Sequence, residues 1–404
     1  MNMKVFWALL ACLAWPCASA AQTALTYEEA LSRARSRAPR VLTAADRIQE
    51  VRARLRGASV LLQNNPEVDF AAGRRNGSAN TTDYELGFQQ TFELGGRRGA
   101  RIAAARADID RETAASQNTV RELLRDVGFA FWRTVAAHER MRLAKSANEI
   151  ATELLRSMER RLEAGDVPLL DVNVSRVAAA RARAELRSAE ADYLSASGDL
   201  RILLGMTPDE PLETTGDLTA TRTFPLQDLV AAATDRPDIR AISAEIREAE
   251  AQARLGRGLA WPDLGAGMRY EKDEGDNIVK GGLSFTLPLF SRGQEQQAAG
   301  EARAQRLRRE LEATKSAIAN EVRTAAEVYE RRRIAATELG TTAVQHLDEN
   351  EALARRSFEE GELNLVELLL IRRDNLETRL LHVNQLLETA LAAVELEARA
   401  GLLK

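Results

Sequence analysis

The sequence predicts a mainly α-helical fold with a membrane β-barrel contribution: long coiled-coil helices, four β-strands per chain and an internal two-fold repeat. Three observations predict it. The chain says nearly the same thing twice, at an offset of about 196 positions. At the same place in each copy, the hydrophobic period changes from helical to alternating. Each copy then runs on into a helical stretch far longer than an ordinary globular helix.

The repeat is read from matching segments. Ser36–Arg37–Ala38–Pro39 returns as Thr234–Asp235–Arg236–Pro237, and Asn64–Asn65–Pro66–Glu67–Val68 returns as Ala260–Trp261–Pro262–Asp263–Leu264. Thr91–Phe92–Glu93–Leu94 answers Thr286–Leu287–Pro288–Leu289, and the run from Arg160 to Asp171 answers Arg356 to Glu367. A unit of this length is a whole substructure rather than a solenoid repeat. The expected division is a leader over 1–20, a first repeat over 21–205, a linker over 206–225 and a second repeat over 226–404.

Lys4, the apolar stretch Val5–Trp15 and the small residues Ala18–Ser19–Ala20 read as a secretory signal. That stretch is too short to span a bilayer. A lipoprotein reading, with Leu9–Leu10–Ala11 before Cys12, leaves little apolar run ahead of it. Both cysteines, Cys12 and Cys17, fall inside the leader, so cleavage after Ala20 leaves a chain without disulfides or thiolate metal sites. The formal charge is -4, and loss of Lys4 makes it one unit more negative. With both signs interspersed, no basic face for nucleic acid is expected. No later apolar run is long enough for a transmembrane helix, so a membrane-spanning part has to be a β-barrel.

Each copy reads as helix, two strands, a very long helix, a turn and a second long helix. Thr26 and Glu29 form a capping box for a helix that Pro39 interrupts; the second copy starts near Leu226 and is interrupted at Pro237. Alternation marks strands within 66–92 and 262–288. Tyr84, Leu86, Phe88 and Phe92 share one face, and Glu85, Gly87, Gln89 and Thr91 the other. Leu264, Ala266, Met268 and Tyr270 oppose Asp263, Gly265, Gly267 and Arg269, as Leu283, Phe285 and Leu287 oppose Gly282, Ser284 and Thr286. Polar tips are expected at Asn76–Asp83 and Glu271–Asn277. Aromatic residues near both strand ends (Phe92, Trp261 and Phe290 at one, Tyr84 and Tyr270 at the other) suit a lipid–water boundary. The plainer reading of either pair alone is a soluble hairpin.

Unbroken helices are expected from Gly99 to Gly165 and from Gly293 to Gly361, each roughly 100 Å long at the helical rise. Stripes such as Val120, Leu124, Val127, Phe131 and Val135, and later Leu380, Val383, Leu387, Leu391 and Val394, have coiled-coil spacing. Four strands cannot close a membrane barrel, and open edges in lipid are costly, so several chains have to pool their strands. Helices of this length suit a hollow conduit rather than an enzyme.

NNPEVDFAAG, QTFELGGRRGARIAAARA, SFTLPLFSRGQ and the two glycine-turn segments resemble TolC-type outer-membrane efflux proteins across essentially the whole mature chain. The phrase around Phe92–Arg101 is most similar to the branch serving cobalt, zinc and cadmium exporters. The resemblance implies a homotrimer with a 12-stranded barrel in outer-membrane lipid and a periplasmic α-helical tunnel. It also implies docking to a periplasmic adaptor (membrane fusion) protein and an inner-membrane resistance–nodulation–division pump. Such a subunit is a passive, gated exit duct, here for heavy-metal cations, with no cofactor and no catalytic site. The alternative class is a secreted periplasmic coiled-coil adaptor or scaffold that never enters lipid.

Gly165 and Gly361 stand where the helices reverse, with Asp171 and Glu367 at matching places beyond them. By resemblance, these turns contact the adaptor and the acids ring the periplasmic aperture, with Leu363 and Leu370 as apolar closure. The plain reading is that both acids serve a helix start. An arginine-based lock known in the family has Arg at the place of Leu363 and an acid at that of Leu370, so that lock is not expected here. His138, His346 and His382 lie on separate helical segments without metal-like spacing.

Overall fold

The computed structural model describes residues 24–76, 81–273 and 275–404. The expected leader, with Cys12 and Cys17, lies outside them, as do residues 77–80 of the first expected tip. The first half runs α1 (Tyr27–Arg37), α2 (Pro39–Ala58), β1 (Glu67–Arg75), β2 (Thr81–Phe92), α3 (Arg97–Glu163) and α4 (Leu169–Leu204). The second runs α5 (Leu226–Ala233), α6 (Pro237–Gly258), β3 (Asp263–Asp273), β4 (Asp276–Thr286), α7 (Gln294–Thr342), α8 (Leu347–Glu359) and α9 (Leu365–Arg399). Thr26 closes its capping box with Glu29, and Pro39 and Pro237 each open a helix where their missing N–H costs nothing.

The strands form one antiparallel sheet in the order β1-β2-β3-β4, so the two hairpins join through β2 and β3. The second tip is tighter than expected. Glu271, Lys272 and Asp273 belong to β3, and Asp276 and Asn277 to β4. Side chains hold them there: Lys280 Nζ sits 2.5 Å from Glu271, and Tyr270 Oη donates to Asn277 Oδ1 at 2.7 Å.

Helix α3 is continuous for 67 residues, about 100 Å. Its counterpart is not. Helix α7 ends at Thr342, a 3₁₀ turn spans Val344–His346, and α8 resumes at Leu347. The break comes at Ala343, directly after Gly340–Thr341–Thr342, where the first copy has Ala144–Lys145–Ser146. Thr341 turns its hydroxyl back onto the Thr337 carbonyl at 2.9 Å, a bond that bends helices, and glycine and threonine are poorer helix formers than alanine.

The helices bury two main cores beneath the sheet. In one, Leu31 of α1, Leu124 and Phe131 of α3, Leu200 and Leu204 of α4 and Val394 of α9 pack together. In the other, Leu229 of α5, Ile318 and Val322 of α7 and Leu396 of α9 do the same. Gly300 lets α7 approach α6: a Cβ there would lie 2.7 Å from the Ala253 nitrogen. The 206–225 segment is clamped rather than loose. Leu25 pairs with Thr214, and Tyr329 Oη donates to the Arg222 carbonyl at 2.5 Å. The end of α9 is capped from elsewhere in the fold, by Arg121 on the Ala398 carbonyl and Arg236 on the Arg399 carbonyl.

Glu397 is buried beside these caps, 8% exposed, and Arg222 reaches it at 2.9 Å. Burial pushes its carboxyl above the usual range, against the pull of Arg222. The folded chain therefore holds this proton more tightly than the unfolded chain. Glu397 favours folding at low pH, and that contribution is lost as pH rises through the raised folded value. Thermal melts of wild type and Glu397→Gln across pH 4 to 8 should show wild type losing ground to the variant as pH rises; a gap that widens in its favour would contradict this.

Candidate functional site: a two-faced sheet above a helical tip

The register divides the sheet into two chemically distinct faces. Val68 pairs with Phe88 and Phe70 with Leu86; Leu86 faces Tyr270, Phe88 faces Met268, and Tyr270 faces Val279. Together with Leu283 and Phe285 these residues make one apolar surface that none of the described residues covers. Phe70 and Leu283 are each 69% exposed. A patch of this extent on a folded chain marks contact with lipid or partner. Strands of 9 to 12 residues match the span of a tilted membrane strand.

The opposite face is polar. Arg269 lies 2.5 Å from Glu85 and 3.7 Å from Asp69. Lys280 meets Glu271, and Arg75 meets both Asp83 and Asp273. Gly87, Gly265, Gly267 and Gly282 share this face, and Asp69 lies across Gly87 so closely that a Cβ there would strike its carboxylate. The charges are paired across the strands of this face. The ion pairs were not anticipated from sequence, although the period-2 parity of the strands contained the signal. At the base of the sheet, Arg97 of α3 pairs with Asp263 of β3, and Arg101 meets Glu93 at 2.6 Å. These ties anchor the long helix to the strands.

The helical tip sits at the far end of α3 and α4, and of α8 and α9. Gly165 and Gly361 both have φ +82, the left-handed region that glycine enters without penalty. Each closes the same C-cap. Gly165 N–H donates to the Leu162 carbonyl and Asp166 N–H to Arg161, while Gly361 N–H donates to Phe358 and Glu362 N–H to Ser357. The two acids differ, however. Glu367 is spent on a capping box: its carboxylate accepts from Asn364 N–H, and its own N–H donates to Asn364 Oδ1, both at 2.9 Å. Asp171 stands in the first turn of α4 behind Pro168, and its carboxylate has no hydrogen bond or ion pair among the described residues. Leu363 packs with Met158, Val172 and Leu368, joining the two hairpins, while Leu370 is exposed, as are Leu170 and Val366 beside the turns.

The histidines stay apart. His138 lies beside Tyr193, His346 contacts Gln345, and burial lowers the pKa of His382 where it packs near Gly340. No group of metal-capable side chains occurs among the described residues, and none of their helices is long and apolar enough to cross a membrane.

The family model described as outer membrane efflux protein matches residues 30–206 and 229–402. The chain belongs to that family. The outer membrane is where the apolar sheet face finds its solvent. Among this family's proteins, the chain is similar to the cobalt-zinc-cadmium resistance protein CzcC of Cupriavidus metallidurans, 26% identical over 380 residues, covering 93% of this chain and 90% of the relative. The nickel-cobalt-cadmium resistance protein NccC of Alcaligenes xylosoxydans xylosoxydans is 25% identical over 284 residues, 64% of this chain and 62% of the relative. A solved structure of CusC, a protein that forms a transmembrane channel, superposes with a TM-score of 0.77 at 18% identity, covering 93% of this chain and 92% of that one.

The two faces make a direct test. Leu283→Arg places a charge on the lipid side, where it costs about 2–4 kcal/mol at mid-membrane depth, while Ser284→Arg points the same charge to the polar side. Outer-membrane fractionation should show the first variant strongly depleted and the second near wild-type levels. Equal loss of both would contradict the assignment of faces.

Proposed function

We propose that this chain is the outer-membrane channel subunit of a tripartite efflux system, a passive gated duct that releases heavy-metal cations. The observation that carries the reading is the sheet: apolar on one face, polar on the other, and unpaired among the described residues at the outer edges of β1 and β4. Three chains would supply 12 strands, β4 of each meeting β1 of the next, with the polar faces lining a water-filled barrel. The helices would continue that barrel as a periplasmic tunnel, with the strand tips outside the cell and Gly165 and Gly361 deep in the periplasm. In this reading, residues 1–20 are the cleaved leader, and the segments 21–205 and 226–404 are structural repeats joined by 206–225.

The duct does no chemistry of its own. An inner-membrane resistance–nodulation–division pump would supply the energy, and a periplasmic adaptor would seat against the glycine turns, where Leu170 and Val366 are exposed. The choice of metal cations rests on CzcC, a relative matched over nearly its whole length and named for cobalt, zinc and cadmium resistance. Deleting the gene should sensitise cells to cobalt, zinc or cadmium, and the wild-type gene should restore tolerance. Unchanged metal tolerance alongside new sensitivity to organic drugs would reassign the substrate.

Asp171 and Glu367 would bring six acids to one level of a trimer. Their surroundings make them unequal, because the exposed Glu367 carboxylate is held by Asn364, while the half-buried Asp171 carboxylate has no hydrogen bond or ion pair among the described residues. Like charges gathered at a narrow opening attract cations. In planar-bilayer recordings Asp171→Asn should lower cation selectivity clearly, and Glu367→Gln, which can still cap the helix, should lower it less. Equal effects would mean the capping bond does not hold in the assembled tip; no effect from the pair would leave both acids serving helix starts alone.

A further inference from the structure

The sheet sorts its charges by face. On the polar side, every described cation has an acidic partner: Arg75 with Asp83 and Asp273, Arg269 with Glu85 and Asp69, and Lys280 with Glu271. On the apolar side, the described strands carry only two charged residues, Arg74 and Lys272. Both are cations, both are exposed, and both stand at the tip end. Neither takes part in an ion pair or side-chain hydrogen bond among the described residues. Their sequence neighbours Arg75, Glu271 and Asp273 point to the other face and are engaged there.

The register brings the two cations into one patch. Arg74 pairs with Thr82 on β2, and Lys272 pairs with Tyr84 on the same strand. They therefore flank β2 from either side, two strands apart and offset by two residues, roughly 12 Å between backbones by strand geometry. That is within joint reach of two long side chains. Tyr84 stands level with Lys272 and Tyr270 one step below, the aromatic level expected at a lipid–water boundary. Below those lies the bare apolar surface of Phe70, Leu86 and Met268. A molecule with an anionic head and hydrocarbon tails matches this sequence of surfaces from top to bottom.

We propose that Arg74 and Lys272, with Tyr84 between them, bind the phosphate groups of an anionic lipid in the outer leaflet, its tails lying on the apolar sheet face. This rests on the reading of the sheet as part of a barrel with its tips outward. Guanidinium and ammonium groups are the side chains that recognise phosphate, by charge-assisted hydrogen bonds and as a point charge respectively. A trimer would carry three such patches around its rim and hold a collar of anionic lipid there.

The test uses the purified full-length oligomer in neutral detergent, titrated with diphosphorylated lipid A and with its dephosphorylated counterpart, and read by native mass spectrometry. The phosphorylated lipid should bind about thirtyfold more tightly, the scale expected for two basic residues at a lipid surface. R74Q/K272Q should bring the two lipids to within about twofold, while Lys280→Gln, a cation on the polar face, should leave the preference intact. An undiminished preference in R74Q/K272Q, or no preference in wild type, would overturn the assignment provided the particle still has oligomer mass. Displacement by millimolar inorganic phosphate without any lipid preference would also overturn it, in favour of a free-phosphate site. A folded particle that needs no detergent and has monomer mass would instead remove the barrel reading, and this site with it.

Discussion

Backbone hydrogen bonding at the two sheet edges is the constraint on which the rest depends. Strands β1 and β4 are each paired on one side only, which leaves roughly ten N–H and C=O groups per edge facing outward. In water those groups would be solvated. Against hydrocarbon each costs several kcal/mol, so an open edge costs tens of kcal/mol, several times the net stability of an ordinary domain. The exposed apolar face of the same sheet puts it in contact with hydrocarbon. In the proposed reading such a sheet is completed by other copies of the chain, whose edges have the right length and chemistry.

The helices follow from the same constraint. A barrel pooled from several chains needs each chain to hold its own four strands in register before closure, and the long helices provide that hold. Arg97 and Arg101 fix the start of α3 to Asp263 and Glu93, tying the helix of one half to the strands of both. Farther down, α9 lies between α3 and α7, its end capped by Arg121 and Arg236 and its apolar stripe shared by two cores. The two halves are equivalent in pattern but unequal in stiffness. In one long hairpin the first helix is continuous, while in the other it breaks after Thr342 and resumes through a 3₁₀ turn.

Much of this was legible in the sequence because it is written in periodicity. The division of faces along β2, β3 and β4, the interruptions at Pro39 and Pro237 and the glycine reversals at positions 165 and 361 all rest on local rules that tertiary packing reinforces. What was not legible rests on side-chain partnerships. The polar tip expected at Glu271–Asn277 is largely strand, because Lys280 and Tyr270 give those residues cross-strand partners and composition alone does not reveal them. The second long helix was expected to be unbroken, since its heptad pattern continues through a backbone weak point. Asp171 and Glu367 looked equivalent, being at matching places. Only the presence of Asn364, where the first copy has Pro168, separates an acid engaged in capping from one that is free.

The most direct measurement is the mass of the detergent-extracted, folded particle by light scattering, corrected for bound detergent. Edge strands that have to be satisfied by other copies predict a particle of three chains, with no folded monomer surviving extraction. A stable, folded particle of one chain would show that β1 and β4 tolerate being open, and would contradict the barrel on which the duct depends.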